Sequence, residues 1–434
     1  MGWKAGKRKV SGMDRKENAV KKVAVIGGGA AGMMAAITAG RCGALVTVYE
    51  RNDRVGKKIL ATGNGKCNFS NRNLGRENYH GGVQKLEECF SRFSPEDAVD
   101  FFTDAGMLVK EKHGYLYPWS EQASTVLDVL RLEMERAGIT VRLSEQVDGI
   151  VRDRRAGTFA VNTLLGKGKE SYDTVILACG GCAAPKTGSD GSGLALAKKL
   201  GHHVVPVVPA LVQLRCKDGF FKMIAGVRCE ARLRLYSEED GKNPIAEEIG
   251  ELQFTNYGIS GIPVFQLSRD AAYLLEAGKR AEVRIDLLPQ MGETDFERMC
   301  MLRIKKAGEK TLEEFLLGMA NKKVNLMMIK EAGYKPGDRA ARLGNERLQK
   351  LLGSYKRMKV HILAANSFEN AQVTAGGIDM EEVTGNLESV KIPGLYFAGE
   401  MLDVDGRCGG YNLQWAWTSG FIAGKSAANQ HGLH

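Results

Sequence analysis

The sequence predicts an α/β fold built around a parallel sheet, and three observations support this fold class. Residues 23–26 form a short apolar run that ends in glycines, residues 30–39 have the small side chains of a closely packed helix, and residues 45–49 form a second apolar run. Residues 172–178 repeat the pattern of a buried strand that stops at glycines. Apolar runs that alternate with helices and glycine turns are typical of βαβ units.

Further elements follow in order between these runs. Helical patterns occur at residues 95–105 and 124–137, and alternating runs that indicate strands occur near 140–151 and 158–163. No repeat of fixed period is visible. The order of strands and helices is that of one α/β domain in the first part of the chain.

Composition limits the class of protein. The chain has 434 residues, of which 44% are hydrophobic and 26% are charged, so it can form a large core and is not a disordered chain. Glycine is over-represented, with 53 residues against 10 prolines. The excess indicates sharp turns and close backbone approaches rather than flexible linkers.

The positive charge is concentrated in two segments. The formal net charge is +10; the leader, residues 1–22, contributes +6 and residues 298–359 contribute +10. The remaining residues are therefore net acidic. The leader has no apolar period, and we expect it to be an arm outside the folded domains.

Two features bear on location. Nine cysteines at irregular spacing indicate a reducing compartment, so we expect a cytoplasmic protein. Residues 23–40 are uncharged and follow a basic leader, which resembles a signal peptide or a membrane span. Three consecutive glycines at 27–29 would break such a helix, so we expect neither export nor membrane insertion.

The glycines after the first strand match the dinucleotide motif G-x-G-x-x-G. Gly27 permits a tight turn, Gly29 lets the backbone approach a pyrophosphate, and Gly32 lets helix and sheet pack closely. The helix that follows offers unpaired N–H groups and a positive field to the phosphates. Glu50 closes the second strand and can accept both hydroxyls of an adenosine ribose, whereas it would repel the 2′-phosphate of NADP.

The end of the chain indicates which dinucleotide is bound. Residues 395–400 form a strand that leads into a loop with Asp403, and the small-residue turn at 409–412 precedes a helical stretch over 413–429. A second turn and helix N-terminus so far along the chain suit a ligand that spans both sites, as FAD does. A helix N-terminus near flavin N1 and the C2 carbonyl stabilises the anion of reduced flavin.

Four segments resemble the BaiN/YhiN-like FAD-dependent oxidoreductases. They are VAVIGGGAAG from residue 23, GKKILATGNGKCNFSN from residue 56, FTNYGISG from residue 254 and GLYFAGEMLDVDGRCGGYNLQWAWTSG from residue 394. The resemblance runs in collinear order from about residue 23 to residue 424. It implies a discontinuous FAD domain of glutathione-reductase type, interrupted by an insert with a β-barrel-like part and a helical part.

This resemblance sets the expected domain limits and cofactor contacts. The segments are the basic leader (1–22), the first part of the FAD-binding domain (23–205), the β-rich insert (206–290), the basic helical subdomain (291–356), the return strand (357–365) and the second part of the FAD-binding domain (366–430). The residues expected to contact FAD are Gly27, Gly29, Ala30, Ala31, Gly32, Glu50, Arg51, Lys58, Thr62, Gly63, Gly65, Cys67, Asn68, Val147, Gly180, Gly399, Asp403, Gly410, Tyr411, Asn412 and Leu413.

Two features depart from related flavoproteins. The pair Cys179 and Cys182 has C-x-x-C spacing and could form a redox dithiol, but it ends a buried strand and does not open a helix that would lower a thiol pKa. A second glycine-rich βαβ unit for NAD(P)H is missing, since residues 180–193 lack its spacing. NADH or NADPH would therefore visit the flavin as a transient donor. No metal-ligand spacing occurs.

The basic helical segment has three interpretations. It can be a solvated helical face, it can steer an anionic substrate or NAD(P)H towards the active site, or it can bind nucleic acid. The third is the least favoured, because only Phe315, Tyr334 and Tyr355 provide aromatic rings there. His361 and the pair His202 and His203 are expected to be packing or surface residues.

The combined prediction is a cytoplasmic FAD-dependent oxidoreductase. Hydride would pass through flavin N5 between NAD(P)H and an organic substrate, and the resemblance implies reduction of a conjugated enone, as in bile-acid or steroid metabolism. Such a reduction also needs a proton donor, for which Tyr257, Ser260 and Tyr411 are candidates. The alternatives are a flavin amine oxidase that uses oxygen and a nucleic-acid-binding flavoprotein. The oligomeric state does not follow from the sequence.

Overall fold

The computed structural model describes residues 20–166 and 170–429. Residues 1–19 of the leader, for which the sequence predicts an arm, lie outside the described residues, as do the last five residues of the chain. The described residues contain a parallel sheet and a closed barrel, which confirms the predicted α/β class with a β-barrel insert.

In the part of the chain that the structure describes, the strands are β1 Lys22–Ile26, β2 Leu45–Glu50, β3 Ser70–Asn71, β4 Tyr79–Gly81, β5 Val109–Lys112, β6 Tyr115–Pro118, β7 Thr140–Leu143, β8 Val147–Asp153, β9 Thr158–Thr163, β10 Ser171–Tyr172, β11 Thr174–Leu177, β12 Val204–Ala210, β13 Leu214–Cys216, β14 Arg228–Ser237, β15 Ala246–Phe254, β16 Gly258–Ser260, β17 Ala281–Asp286, β18 Met358–Ala365, β19 Val373–Ile378, β20 Leu395–Phe397 and β21 Val404–Gly406. The α-helices of the same residues are α1 Ala30–Arg41, α2 Leu86–Arg92, α3 Pro95–Asp104, α4 Ala123–Arg136, α5 Ser192–Lys199, α6 Phe221–Ile224, α7 Ile262–Glu276, α8 Glu293–Lys305, α9 Leu312–Phe315, α10 Lys322–Glu331, α11 Ala340–Leu343, α12 Asn345–Gly353 and α13 Tyr411–Ala428.

The parallel sheet has the strand order β20-β11-β1-β2-β7. Ala24 in the middle of β1 pairs with Thr47 of β2 on one side and with Val175 of β11 on the other. The central strands are buried apolar runs, as expected when helices cover both faces of a sheet. The carboxyl ends of β1, β2, β11 and β20 therefore share one edge, which is where open α/β sheets bind ligands.

Helix α1 is buried on all sides by the sheet and by the last helix, α13. Its small side chains let α13 approach closely, because Gly424 of α13 faces the backbone of Ala35. A helix that is apolar around its whole circumference is typical of a core position. The first and last helices of the chain thus form one packed unit.

The insert begins and ends at a two-stranded ladder. Strand β12 pairs antiparallel with β19, so the chain enters and leaves the insert side by side. Between them, the strands close into an antiparallel barrel in the order β13-β16-β15-β14-β17-β18. Side chains such as Leu233, Leu252 and Val283 fill the barrel core.

Helices α8 to α12 lie between β17 and β18 and cover the barrel. Leu312, Leu348 and Tyr355 from this helical segment belong to the same buried cluster as the barrel side chains. At the return into the barrel, the Lys356 ammonium lies 2.6 Å from the Asp286 carboxylate, and both side chains are buried. The helical segment is therefore anchored on the barrel.

The sequence predicts mainly strands in residues 206–290, but this module also contains helix α7, which is 15 residues long. Pro263 at its start and the buried Val264, Leu267 and Ala271 have the spacing of a helix with one apolar face. Alternating strands on both sides conceal this period in the sequence.

Among the described residues, none of the helices is both long and apolar enough to cross a membrane.

Candidate functional site

The predicted glycine turn lies between β1 and α1 at the carboxyl edge of the sheet. Gly27 has a φ of +105°, and a Cβ there would lie 2.5 Å from the Ala178 carbonyl oxygen at the end of β11. A Cβ at Gly32 would collide with the Gly27 carbonyl oxygen. No side chain of the described residues caps α1 at Gly29, so the N–H groups of Ala30 and Ala31 open a helix without a side-chain acceptor.

Glu50 ends β2 beside this turn. Its Oε2 accepts the Gly28 N–H at 2.9 Å, and its Oε1 accepts both the N–H and the side-chain amide of Asn52 at 2.8 Å. The side chain is buried, and such charge-assisted hydrogen bonds hold a carboxylate in one orientation. The expected ribose acceptor is therefore next to the expected pyrophosphate site.

The adenosine end is built from the chain that follows β2 and β7. The N–H of Glu145 donates to the Glu50 carbonyl at 3.0 Å, and the N–H of Ser144 donates to the Asn52 carbonyl at 2.8 Å. These bonds bring Val147, the first residue of β8, close to Glu50, and Val147 is buried. Val147, beside which the family resemblance implies the adenine, thus follows the segment that bonds the backbone of the ribose acceptor Glu50.

Arg51 and Gly180 lie on the other flank of this region. The Arg51 guanidinium forms an ion pair with Asp190. Gly180 has a φ of +74°, and a Cβ there would lie 2.7 Å from the Ser189 hydroxyl. That hydroxyl is buried without a hydrogen-bond partner among the described residues, so it is free to bind a polar ligand atom.

The loop over residues 58–68, for which the family resemblance implies contacts with the flavin side of FAD, contains a series of left-handed turns. Gly63, Gly65 and Cys67 have positive φ angles, and the Cys67 N–H donates to the Thr62 carbonyl at 3.2 Å. Cys67 is fully buried, and burial raises its pKa to about 11. Asn68, the next residue, has a buried Oδ1 without a hydrogen-bond partner among the described residues. The loop therefore offers a polar atom at a fixed position.

This loop contacts the glycine turn at the start of α13. The Asn71 side-chain amide donates to the Gly409 carbonyl at 2.9 Å. A Cβ at Gly410 would lie 2.5 Å from the Ser70 carbonyl oxygen and 2.9 Å from Asn68 Oδ1. The two segments for which the family resemblance implies contacts with the flavin side of FAD, 58–68 and 410–413, are thus brought together.

The first residues of α13 are held mainly by their own domain. Gly410 is the N-cap and provides no side-chain acceptor. Asn412 bonds the backbone of Gly406 with both side-chain atoms, accepting its N–H at 2.8 Å and donating to its carbonyl at 2.7 Å. The Tyr411 hydroxyl donates to the Asn73 carbonyl at 3.3 Å, and Leu413 is partly buried. The helix N-terminus is therefore fixed with its first N–H groups free of a side-chain cap.

The two helix N-termini face the same way, with a defined offset. Gly420 packs against the Ala31 carbonyl and Gly424 against that of Ala35, so α1 and α13 run parallel. Tyr411 precedes Gly420 by nine residues. Gly420 lies beside Ala31, the second residue of α1, so Tyr411 lies eight residues before the level of Ala30. At 1.5 Å per residue, α13 therefore begins about 12 Å before the start of α1. A five-carbon ribityl chain between a pyrophosphate and a flavin ring suits this offset.

Gly399 and Asp403 lie in the segment between β20 and β21. Gly399 follows β20, and a Cβ there would lie 2.7 Å from the Cβ of Ala31. The Trp415 indole N–H donates to the Gly399 carbonyl at 3.2 Å. Burial raises the pKa of Asp403, whose buried Oδ1 lacks a partner among the described residues. Gly399 thus lies between α1 and α13.

An ion pair that the sequence does not predict joins the loop over residues 58–68 to the segment after β20. Lys58 Nζ is 2.7 Å from Glu400 Oε2, and Glu400 Oε1 accepts the Thr374 N–H at 2.7 Å. The Thr374 hydroxyl oxygen accepts the N–H groups of Cys182 and Ala183 at 2.7 and 3.0 Å. An acidic residue three positions after the end of β20, a strand of the parallel sheet, is the signal that would have identified Glu400.

The three candidate proton donors occupy different environments. Tyr257, at the barrel rim, has 36% of its surface exposed, and its hydroxyl oxygen accepts the Asn366 side-chain amide at 3.2 Å. Ser260 is buried in β16. Burial raises the pKa of Tyr411, whose hydroxyl bonds the backbone. Of the three residues, Tyr257 is the most exposed.

The C-x-x-C pair consists of free thiols. Cys179 donates from Sγ to the Ile26 carbonyl at 3.3 Å, and burial raises its pKa to about 12. Burial also raises the pKa of Cys182. Neither thiol has the depressed pKa of a reactive cysteine. Among the described residues, no group of three or more histidine, cysteine or acidic side chains is arranged to hold a metal ion.

A parallel sheet with this glycine turn, a ribose-type carboxylate and a returning helix N-terminus defines a class of protein: a flavoprotein oxidoreductase with a Rossmann-like domain. The chain belongs to the HI0933-like family, since that family's Rossmann-domain model matches residues 21–426. The match extends over both parts of the sheet domain and the insert between them.

Comparison with characterised proteins gives relatives of nearly the same length. The chain is 40% identical over 415 residues to the 3-dehydro-bile acid delta(4,6)-reductase of Clostridium scindens, covering 95% of this chain and 100% of the relative. It is 28% identical over 412 residues to the ribosomal RNA dihydrouridine synthase of Escherichia coli, covering 93% of this chain and 98% of the relative.

This chain is similar, with a TM-score of 0.45, to the solved structure of the 3-ketosteroid-delta4-(5alpha)-dehydrogenase of Rhodococcus jostii RHA1 in complex with 4-androstene-3,17-dione. The two chains are 16% identical, and the alignment covers 96% of this chain and 99% of the other.

Proposed function

We propose that the protein is an FAD-dependent reductase of a carbon–carbon double bond conjugated to a carbonyl group, with NADH or NADPH as electron donor and a flat, steroid-like molecule as substrate. The observation that carries the proposal is the pair of parallel helices whose N-termini are offset by about 12 Å. One extended dinucleotide can contact both N-termini.

The residues present fit FAD at each of its parts. Glu50 would hold the adenosine ribose, and the first N–H groups of α1 would hold the pyrophosphate. The buried, unpartnered Oδ1 of Asn68 and the uncapped start of α13 would contact the flavin side. When bound, FAD supplies hydride transfer through N5.

The chain's own residues would exclude water and provide the proton. Residues 366–374 lead from the barrel rim to the cofactor edge: Asn366 bonds the Tyr257 hydroxyl, and the Ala184 N–H donates to the Phe368 carbonyl at 2.8 Å. Because Asn366 donates to the Tyr257 oxygen, the phenolic proton is available for donation. Tyr257 is therefore our proposed acid, ahead of Ser260 and Tyr411.

The relatives support the type of reaction. One relative is named as a reductase and the other as a synthase of dihydrouridine, and both names describe the addition of hydrogen to a carbon–carbon double bond. The bile acid in the name of the first relative is a steroid, and this relative is the more similar of the two to this chain. We therefore propose a steroid-like enone as the first candidate substrate.

The test starts from the absorbance spectrum of the purified protein and anaerobic titration with NADH and with NADPH. We expect a bound-flavin spectrum that one of them bleaches, and recovery of the oxidised spectrum when a 3-oxo-Δ4,6 steroid is added. A colourless protein that FAD cannot reconstitute would refute the proposal. Reoxidation by oxygen with stoichiometric peroxide, and none by the enone, would favour an amine oxidase instead.

A uracil ring in RNA is a second candidate substrate, favoured by the basic helical segment. Lys305, Lys306 and Lys310 form no ion pair with any described residue, and Lys306 and Lys310 share an open cavity of about 610 Å³ with Arg298 and Arg303. Phosphates would bind such unpaired cations. Salt-sensitive RNA retention that disappears in a Lys305→Gln, Lys306→Gln, Lys310→Gln variant would support this candidate; absence of retention at low salt would exclude it.

The cysteines support a reducing compartment. All nine lie within the described residues and are free thiols. We therefore propose a cytoplasmic location, as the sequence predicts.

A further inference from the structure

Helix α7 of the insert contacts the segment that leads into the second glycine turn. Arg269 on α7 directs its Nε at Asp405 of β21, 3.1 Å from Oδ1 and 3.0 Å from Oδ2. The Asp405 side chain is 3% exposed, so this ion pair is shielded from solvent. The Arg269 guanidinium also lies 4.9 Å from the centre of the Tyr273 ring, which fixes its plane.

Two more contacts from the insert hold the next residues of the same segment. The Cys408 N–H donates to Gln266 Oε1 at 3.1 Å, also on α7. The Arg407 guanidinium lies 2.6 Å from Glu248 Oε1 on β15. Three side chains of the insert thus hold the backbone or side chains of residues 405–408.

These four residues immediately precede Gly409 and Gly410, where α13 begins. On its own side, the segment is tied through Asn412, which bonds Gly406, and through the pairing of β21 with β4. The Arg407 N–H also donates to the Asn78 carbonyl at 2.9 Å. The position of the α13 N-terminus is therefore determined jointly by the cofactor domain and by the insert.

We propose that Arg269 is a positioning residue that holds the N-terminus of α13 at a fixed distance from the substrate-facing insert. This inference rests on the proposed function, because it assumes that the flavin side of FAD lies at that N-terminus. Buried ion pairs contribute more to a defined geometry than to net stability, and the Arg side chain cannot be replaced by Lys where the direction of its planar group matters.

A positive helix end stabilises negative charge on reduced flavin, and this effect falls off within the first turn. A small displacement of Gly410 away from the ring therefore lowers the midpoint potential of bound FAD. A residue that only stabilised the fold would not change this potential in a folded, fully loaded protein.

The experiment compares Arg269→Lys, Arg269→Met and Gln266→Leu in the full chain loaded with FAD. Arg228→Lys is the control, because Arg228 also pairs with a carboxylate, that of Glu251, but is exposed on the barrel. Each variant is measured for thermal unfolding, FAD content and midpoint potential. We expect Arg269→Lys to bind FAD fully, to have a more negative potential than the wild type, and to be reduced at least tenfold more slowly by the nicotinamide.

The milder Gln266→Leu variant keeps the test valid if the Arg269 variants fail to fold, and we expect the same direction of change. Wild-type potential in Arg269→Lys and Gln266→Leu, or changes that only follow the loss of thermal stability, would overturn the inference. That result differs from failure of the proposed function, in which the wild-type protein itself would bind no FAD.

Discussion

The Glu50 carboxylate accepts the backbone N–H of Gly28 at 2.9 Å, across 22 residues of sequence. The bond joins the end of β2 to the glycine turn after β1. Since the other carboxylate oxygen is held by Asn52, the acidic group is oriented before any ligand binds. Such preorganisation lowers the free-energy cost of binding.

Replacement of Glu50 by Gln tests this arrangement. Glutamine has one acceptor oxygen and cannot accept from both Gly28 and Asn52, and it lacks the charge that strengthens bonds to ribose hydroxyls. Loss of charged hydrogen bonds costs about 1.5–3 kcal/mol each, so we expect FAD affinity to fall by about 10- to 100-fold. The measurement is quenching of flavin fluorescence on addition of FAD to the apoprotein.

The matched control is Glu135→Gln, because Glu135 is exposed on α4 away from the glycine turn. It should bind FAD like the wild type. Equal affinity of the Glu50→Gln variant would show that the ribose lies elsewhere.

The local part of this site could be predicted from the sequence, because the signal is contained in short stretches. The glycine turn, Glu50 and the helix after Gly410 are each given by residue types at fixed spacing. The long-range contacts could not be predicted in this way. Arg269 and Asp405 are 136 residues apart, and nothing in either neighbourhood specifies the other.

The insert illustrates the same limit. Its alternating runs predict strands, but closure into a barrel depends on pairing between β13 and β18, which lie on opposite sides of the helical segment. The sequence pattern does not reveal helix α7. Its helical periodicity is weak in any window of residues that also includes the alternating pattern of the flanking strands. Glu400 stands in the segment from residue 394 that resembles the FAD-dependent oxidoreductases, yet its pairing with Lys58 follows only from the fold.

Packing between α1 and α13 gives a second prediction. A Cβ at Gly424 would collide with the carbonyl of Ala35, so Gly424→Ala must push α13 away from α1. Overpacking of this kind costs about 1–3 kcal/mol of unfolding free energy. We expect lower stability in urea unfolding and a lower FAD content, because the N-terminus of α13 moves with the helix.

Gly353→Ala is the matched control for this change. Gly353 is the last residue of α12, and a Cβ there meets no atom within 4 Å. Alanine in an open helical position should be neutral or stabilising by up to about 1 kcal/mol. Equal effects of the two substitutions would contradict the close packing of α1 on α13.

The C-x-x-C thiols provide a third prediction. Burial raises the pKa of Cys179 to about 12, so at neutral pH it is a thiol and a poor nucleophile. A Cys179→Ala, Cys182→Ala variant should keep most of the wild-type turnover per bound FAD. Iodoacetamide at pH 7.5 should label the exposed Cys42 much faster than Cys179, as mass spectrometry of peptides can show. Loss of turnover with normal FAD content would indicate a redox dithiol.

Acid titration of Asp405 provides the last prediction. Burial raises its pKa to about 6, while the Arg269 guanidinium opposes this shift. Asp403 beside it and Asp270 on α7 add negative charge, and Arg407 and His80 face the same region. Because the folded-state pKa is raised above the usual value, Asp405 contributes most to stability at pH below about 4, and this contribution is lost as pH rises to about 6.

The ion pair with Arg269 behaves in the opposite way, since it needs the ionised carboxylate that predominates only above pH 6. We therefore expect the absorbance spectrum or the midpoint potential of bound FAD to change between pH 5 and pH 8, with an inflection near pH 6. Titration of Asp405 should not unfold the protein in this range.

Arg269→Met should move the inflection to higher pH, because the opposing positive charge is removed. Asp405→Asn should abolish it, whereas His80→Gln should keep it, since burial lowers the pKa of His80 below its usual value. An inflection that survives in Asp405→Asn and disappears in His80→Gln would assign the titration to the histidine.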